Sequence, residues 1–244
     1  MALPAHLLAQ LPAGVARGLD PANAPPSPRA LSLGSTLDAA LPDGGLPRGA
    51  VVEVAVAGGS ALGTRLALEA CRAVQAEGRA LGGEAPWCAF IDPSASLYAP
   101  GVAELGLELE RLLVVRPPPE ALARVSVRLV ESQAFGAVVI DAAGVLGKRV
   151  PVELGRWVRV VRRLALAIEG SSNLLVLLTE RAARRPLPLP VALRVELARR
   201  APSSTALSVA KERQGRIVAE RRVAWPAPPP ASAEEGAAHV RRIA

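Results

Sequence analysis

A run of apolar and β-branched residues from Ala50 to Ala57 gives way at once to Gly58-Gly59-Ser60-Ala61-Leu62-Gly63. Leu66, Leu68, Ala70, Ala73 and Val74 then recur at helical spacing. Strand, glycine turn and buried helix in that order point to an α/β layer fold, because the helix returns across the sheet and delivers a parallel strand. The chain repeats the alternation. Trp87 to Asp92, Leu112 to Val115 and Ala137 to Asp141 read as further apolar strands, with a helix over Glu120 to Gln133. A longer helix is expected over Val152 to Ile168, where Leu154, Trp157, Val158, Val161, Leu164, Ala165 and Ile168 make one apolar face and Arg156, Arg159, Arg162 and Arg163 fall elsewhere. Asn173 to Thr179 is a fifth buried strand, and Val191 to Ala198, Thr205 to Glu212 and Arg216 to Ala224 read as three strands joined by short turns. The expected architecture is a central, mostly parallel sheet flanked by helices and finished by antiparallel C-terminal strands.

With 244 residues, half of them hydrophobic, the chain can bury one sizeable core. Pro21, Pro25, Pro26 and Pro28 break any helix near the start, so residues 1–31 read as an N-terminal arm. The folded domain is expected over 32–225. Pro226, Pro228, Pro229 and Pro230 then open a stiff C-terminal tail, residues 226–244. No stretch has the roughly 18 apolar residues that a membrane helix needs, and the first residues do not read as a secretion signal, so the expected location is the cytoplasm. Cys71 and Cys88 are accordingly read as buried thiols. His6 and His239 are the only histidines and sit near the two ends, which argues against a Ser-His-Asp triad or a His-rich metal site in the core. The net charge of +7 is uneven: acids outnumber bases up to residue 145, and bases outnumber acids more than twofold after it. A basic block suits nucleic acid or an acidic protein, or simply a solvated surface.

A phosphate-binding loop needs glycines for converging N–H groups, a Lys for the terminal phosphates and a Ser/Thr hydroxyl for magnesium. Gly58, Gly59 and Gly63 supply the glycines. If Gly58 and Gly63 are the motif glycines, Thr64 and Arg65 hold the Lys and hydroxyl positions; if Thr64 is the hydroxyl, Gly63 holds the Lys position. Neither register contains the lysine. Arg65 is the substitute cation on offer, though a planar guanidinium differs from a compact ammonium. Asp141 closes a Val-Val-Ile-Asp strand, where an acid holds magnesium beside a phosphate loop; a plain turn cap is the other reading of the same residue.

These residues resemble the RecA family over most of the domain. Gly34 to Leu41, then Gly44-Gly45-Leu46-Pro47-Arg48-Gly49 and Val51-Val52-Glu53-Val54, resemble the approach to the RecA phosphate loop. Cys88 to Asp92 resembles the strand leading to the catalytic glutamate, Ala137 to Asp141 the magnesium strand, and Ser172 to Val176 the start of the strand before a DNA-binding loop. Ser94 stands where the resemblance calls for the glutamate that activates water. Thr179-Glu180 stands where it calls for a polar sensor amide, and the loop from Arg181 to Pro190 is short and proline-bearing.

A RecA-like chain lacking both lysine and glutamate is most similar to the ImuA family of translesion-synthesis mutasomes. That resemblance implies a role in damage-induced mutagenesis, with an ImuB-like polymerase-related protein and RecA as partners. The expected function is a non-catalytic accessory protein without a bound cofactor, able to end a head-to-tail RecA polymer because one of its faces is defective. The alternatives are a DNA-dependent ATPase with an unusual loop and a SulA-like division inhibitor, the latter with no separate support in the sequence. A direct single-stranded DNA interface is a further expectation, carried by Arg181, Arg184, Arg185, Lys211, Arg213 and Arg216. With two Phe and one Tyr in the chain, base stacking adds little to it.

Overall fold

The structure is a computed structural model that describes residues 30–57, 61–145, 148–150, 157–181, 189–201 and 204–225. Most of the expected arm and all of the expected tail therefore lie outside the described residues. Pairing begins at β1 (Ala30–Leu31), which runs antiparallel to β2 (Leu46–Pro47). Between them Asp38 ties the chain into a compact turn. Its Oδ1 accepts from the Leu33 N–H (2.9 Å), and its Oδ2 from the Gly34 N–H (3.0 Å) and the Ser32 hydroxyl (2.8 Å).

The core elements follow in alternation: β3 (Val51–Val56), α1 (Leu62–Ala80), β4 (Cys88–Ile91), α2 (Ala99–Ala103), β5 (Leu112–Val115), α3 (Leu122–Glu131) and β6 (Ala137–Asp141). A small hairpin of β7 (Gly144–Val145) and β8 (Lys148–Arg149) precedes α4 (Val158–Ile168) and β9 (Leu174–Glu180). The last three strands are β10 (Leu193–Ala201), β11 (Ser204–Glu212) and β12 (Val218–Ala224). They form one eight-stranded sheet in the order β12-β11-β10-β3-β9-β6-β4-β5. The six strands from β10 to β5 are parallel, and β10, β11 and β12 are antiparallel, as the pattern of crossovers and short turns required. The helix expected over Val152 to Ile168 is described from Val158; residues 151–156 lie outside the described set. Arg216, expected to open the last strand, sits in the turn before β12.

Because side chains alternate along a strand, the sheet buries two separate cores. Val52, Val54 and Val56 of β3 pack with Phe90, Val139 and Val176 under α1. Val51, Ala89, Ile140, Leu175 and Leu177 pack under α3 and α4, whose inward positions are Leu122, Val161, Leu164 and Ile168. Strands covered on both faces have no solvent side to mark with polar residues, so they read as unbroken apolar runs. The approach to β3 is pinned from outside the sheet. Arg48 donates to the Ser172 carbonyl (2.7 Å) and pairs with Glu77, and the Gly49 N–H donates to the Asn173 carbonyl (2.9 Å). Gly49 has φ +63°, and a Cβ there would lie 2.7 Å from the Ser171 carbonyl, so glycine is required. Among the described residues no helix is long and apolar enough to cross a membrane.

Candidate functional site

The C-terminal ends of β3, β6 and β9 meet the start of α1 at a cleft of about 20 Å³, lined by Val56, Gly63, Thr64, Asp141, Gly144 and Glu180. Doubly wound sheets place their ligands at this end of the strands. Thr64 and Asp141 come together here. Gly58 and Gly59 lie outside the described residues.

Gly63 packs against the sheet. A Cβ at this position would lie 2.7 Å from Val56 Cγ2 and 3.6 Å from Leu178 Cδ2, so the register that makes Thr64 the magnesium hydroxyl puts its lysine position where no side chain fits. Arg65, offered as the substitute cation, is not in the cleft lining. Its Nε donates to Glu69 Oε1 (2.9 Å) and its guanidinium lies 5.9 Å from the centre of the Trp225 ring. Trp225 Nε1 donates to the same Glu69 oxygen (3.0 Å), so Arg65 serves to dock the end of β12 on α1.

Asp141 is buried, and its Oδ1 accepts from the N–H groups of Ala143 (3.0 Å) and Gly144 (2.9 Å). Burial pushes its carboxyl above the ordinary value; the two N–H donors oppose the shift and the Asp92 charge adds to it. Asp141 thus caps the turn after β6 while also lining the cleft. Glu180 stands opposite β3, in register with Val56. It was legible as a departure from the family pattern, and the two-residue period of β9 puts it on the Leu178 side with the cleft; the pairing that sets β9 between β3 and β6 is what brings it near Asp141.

The glutamate position is also occupied otherwise. Asp92, buried at the end of β4, accepts from the Ser96 N–H (2.9 Å) and the Leu97 N–H (3.0 Å). The Ser94 hydroxyl lies 2.9 Å from Ser96 Oγ and 3.2 Å from Asp92 Oδ1, which makes it a member of the turn that Asp92 organises. Burial alone raises the Asp92 carboxyl, but the hydrogen bonds from Ser96, Leu97 and Ser94 outweigh it and hold the group below its ordinary value. Thr179, in the sensor region, faces the other side of the sheet. It donates to Glu53 Oε1 (2.8 Å), which also accepts from Arg194 Nη1 (2.8 Å). Burial pushes Glu53 up against the opposing Arg194 charge and these hydrogen bonds, and its Oε2 has no hydrogen-bond partner among the described residues. This buried ion pair went unread in the sequence, because nothing local joins residues on strands that far apart in the chain.

The cations expected to hold DNA do not form one surface. Arg181 is at the cleft end of the sheet, where its N–H donates to the Val56 carbonyl (2.9 Å), and its Nε pairs with Glu196 (3.0 Å). Lys211, Arg213 and Arg216 lie toward the opposite end, since Glu212 is level with Leu193 and Leu193 with Val52. Lys211 Nζ donates to the Leu189 carbonyl (2.7 Å). Arg216 is held by Asp43, at 2.7 Å through each terminal nitrogen, and by Glu212 (3.1 Å). Arg184 and Arg185 lie outside the described residues. Both cysteines are free and buried, as expected.

A parallel sheet with a glycine-rich sequence after one strand, an acid at the end of another and a helix following the glycines in the chain defines a protein of the phosphate-loop α/β class. Residues 26–156, more than half of the chain, match the family model of the RecA N-terminal domain, and the chain belongs to that family. It is 36% identical over 126 residues to the Protein RecA of Rhodospirillum centenum (strain ATCC 51521 / SW). The likeness covers 51% of this chain and 33% of that relative, so the chain spans about a third of the relative's length. The matched family segment contains the cleft residues from β3 to β6 and stops short of Glu180 and the antiparallel strands.

Among the described residues the cleft lining includes Asp141 and Glu180 and no Lys or Arg, and the sequence from Ala57 to Thr64 contains neither.

Proposed function

We propose that this protein is a non-catalytic RecA-family accessory protein of DNA damage tolerance, acting in a translesion-synthesis mutasome. It binds an ImuB-like protein, RecA or both, and limits RecA filament growth by occupying an end. The observation that carries this reading is the cleft itself: no lysine in either register, the Gly63 position of one of them packed against Val56, and an arginine committed to Glu69 and Trp225. A phosphate-loop cleft without a lysine, on a well-packed fold, suits a protein whose value lies in its surfaces. The open edge at β5 supports a protein partner, because Leu113 and Val114 are exposed there, as is Leu109 just before the strand.

ATP turnover by the purified full chain, with and without single-stranded DNA, is expected to stay at background. Capture of RecA and an ImuB-like protein is expected to survive Asp141→Ala. Turnover abolished by Asp141→Ala would establish the competing DNA-dependent ATPase and end this reading.

A further inference from the structure

At the other end of β3 from the cleft, on the opposite face of the sheet, a groove of about 240 Å³ lies between α4 and the segment leading into β10. Ala50, Ala165, Pro190 and Val191 give it an apolar floor, and Leu166 stands beside it with 68% of its surface exposed. Arg162 of α4 and Arg213 of the turn between β11 and β12 line it from two sides. Both are exposed, and neither has an ion pair among the described residues.

Neighbouring arginines are spent internally. Arg163 is bound to Glu131 (2.8 Å), and Arg216 to Asp43 and Glu212. Arg162 and Arg213 are left as cations beside apolar surface, reinforced by the Lys211 charge and by Arg159 one turn earlier on α4. Glu169 at the end of α4 is the acid in the lining.

The size of the groove falls below the roughly 300 Å³ at which small-molecule pockets begin, which suits side chains of a polypeptide better than a whole ligand. Nucleic acid is the poorer match, because the lining offers no aromatic platform for bases. We propose that this groove docks an acidic segment of a partner protein, with an apolar side chain seated against Leu166 and Val191 and carboxylates meeting Arg162 and Arg213. None of these residues lines the phosphate-loop cleft, so the proposal stands whether or not the protein hydrolyses ATP.

Fluorescence anisotropy with the full chain at low salt tests it. The probes are a labelled peptide alternating Glu with Leu, a Glu/Gly peptide, a Lys/Leu peptide and oligothymidylate. The Glu/Leu peptide is expected to bind at least about tenfold more tightly than either control peptide, and to weaken as salt screens the charges. Arg162→Glu and Arg213→Glu should each weaken it by about tenfold and Leu166→Ala by about threefold, while Arg221→Glu on the far edge strand leaves it unchanged. Arg162→Gln and Arg213→Gln, with about threefold losses, keep the test valid if a charge reversal lowers the Tm. Failure of the Glu/Leu peptide to bind, or equal binding by the parent and the arginine variants, overturns the proposal. Oligothymidylate binding that depends on the two arginines, with no such dependence for the peptide, overturns it in favour of nucleic acid.

Discussion

Gly63 shows how packing disfavours one of the two readable registers of the glycine loop. Read as a sequence it is an ordinary loop glycine that happens to occupy a lysine position. In the fold its hydrogen faces Val56, Val54 and Leu178, and it allows the first turn of α1 to lie directly on β3. The departure from the phosphate-loop pattern was legible because motif registers can be counted; its cause was not, because the contact joins a helix start to side chains on two strands. Overpacking a well-filled site costs roughly 1–3 kcal/mol, so adding a side chain here should harm the fold before it helps chemistry. Gly63→Lys is expected to lower stability by about that amount, Gly63→Ala by about 1 kcal/mol, and neither to confer ATP turnover. Urea denaturation followed by circular dichroism, run beside a phosphate-release assay, checks both; turnover by Gly63→Lys at unchanged stability would contradict the packing account.

At the scale of elements, buried parallel strands were the most legible part of the chain. Ala137–Asp141 coincides with the expected run, since a strand covered on both faces is apolar throughout and polar turns mark its ends, whereas Leu112–Val115, equally apolar in sequence, is the edge strand with Leu113 and Val114 exposed. Strand order, the two-residue pairing of β1 with β2 and the docking of β12 were out of reach, because each depends on partners distant in sequence. The end of β12 is the clearest case. Trp225 reads as the last residue before a proline-rich tail, yet it is buried at 4% exposure, with its indole N–H on Glu69 and the Arg65 guanidinium over its ring. Thr36 Oγ1 adds a bond to the Ala224 carbonyl (2.8 Å), so the strand end is fastened to both α1 and the N-terminal turn. Large-to-small substitution of a buried aromatic costs about 3–5 kcal/mol, and loss of one hydrogen bond about 1 kcal/mol. Trp225→Ala is therefore expected to destabilise by about 3 kcal/mol and Trp225→Phe by about 1 kcal/mol. Equal, small losses for both in chemical denaturation would mean that the ring is not anchoring the strand.

Over the whole molecule, carboxylates fall into two groups that respond to acid in opposite directions. Asp92 is held low by its hydrogen bonds, and Asp43 and Glu212 are held low chiefly by Arg216. Groups lowered in the folded state contribute stability that is present above their ordinary values and lost as pH falls through the lowered ones. Glu53 and Asp141 are raised, chiefly by burial. Ionised at neutral pH they cost stability, and that cost is relieved as pH falls through their raised values, because the folded state then takes up protons before the unfolded chain does. The net charge of +7 adds a common term, since acidification makes the molecule more positive and increases repulsion. Comparing the parent with Asp141→Asn largely removes that shared term. The amide oxygen can still accept from Ala143 and Gly144, but the buried charge is gone. Asp141→Asn should raise the Tm at pH 7 by about 2–4 °C, the shift that 1 kcal/mol produces in a chain of this size, and the advantage should shrink steadily toward pH 4. Thermal unfolding of both proteins between these pH values decides the matter. A variant that is less stable than the parent at neutral pH, or a difference that does not change with pH, would mean that the Asp141 charge is satisfied in the fold and that the cleft holds a counter-charge after all.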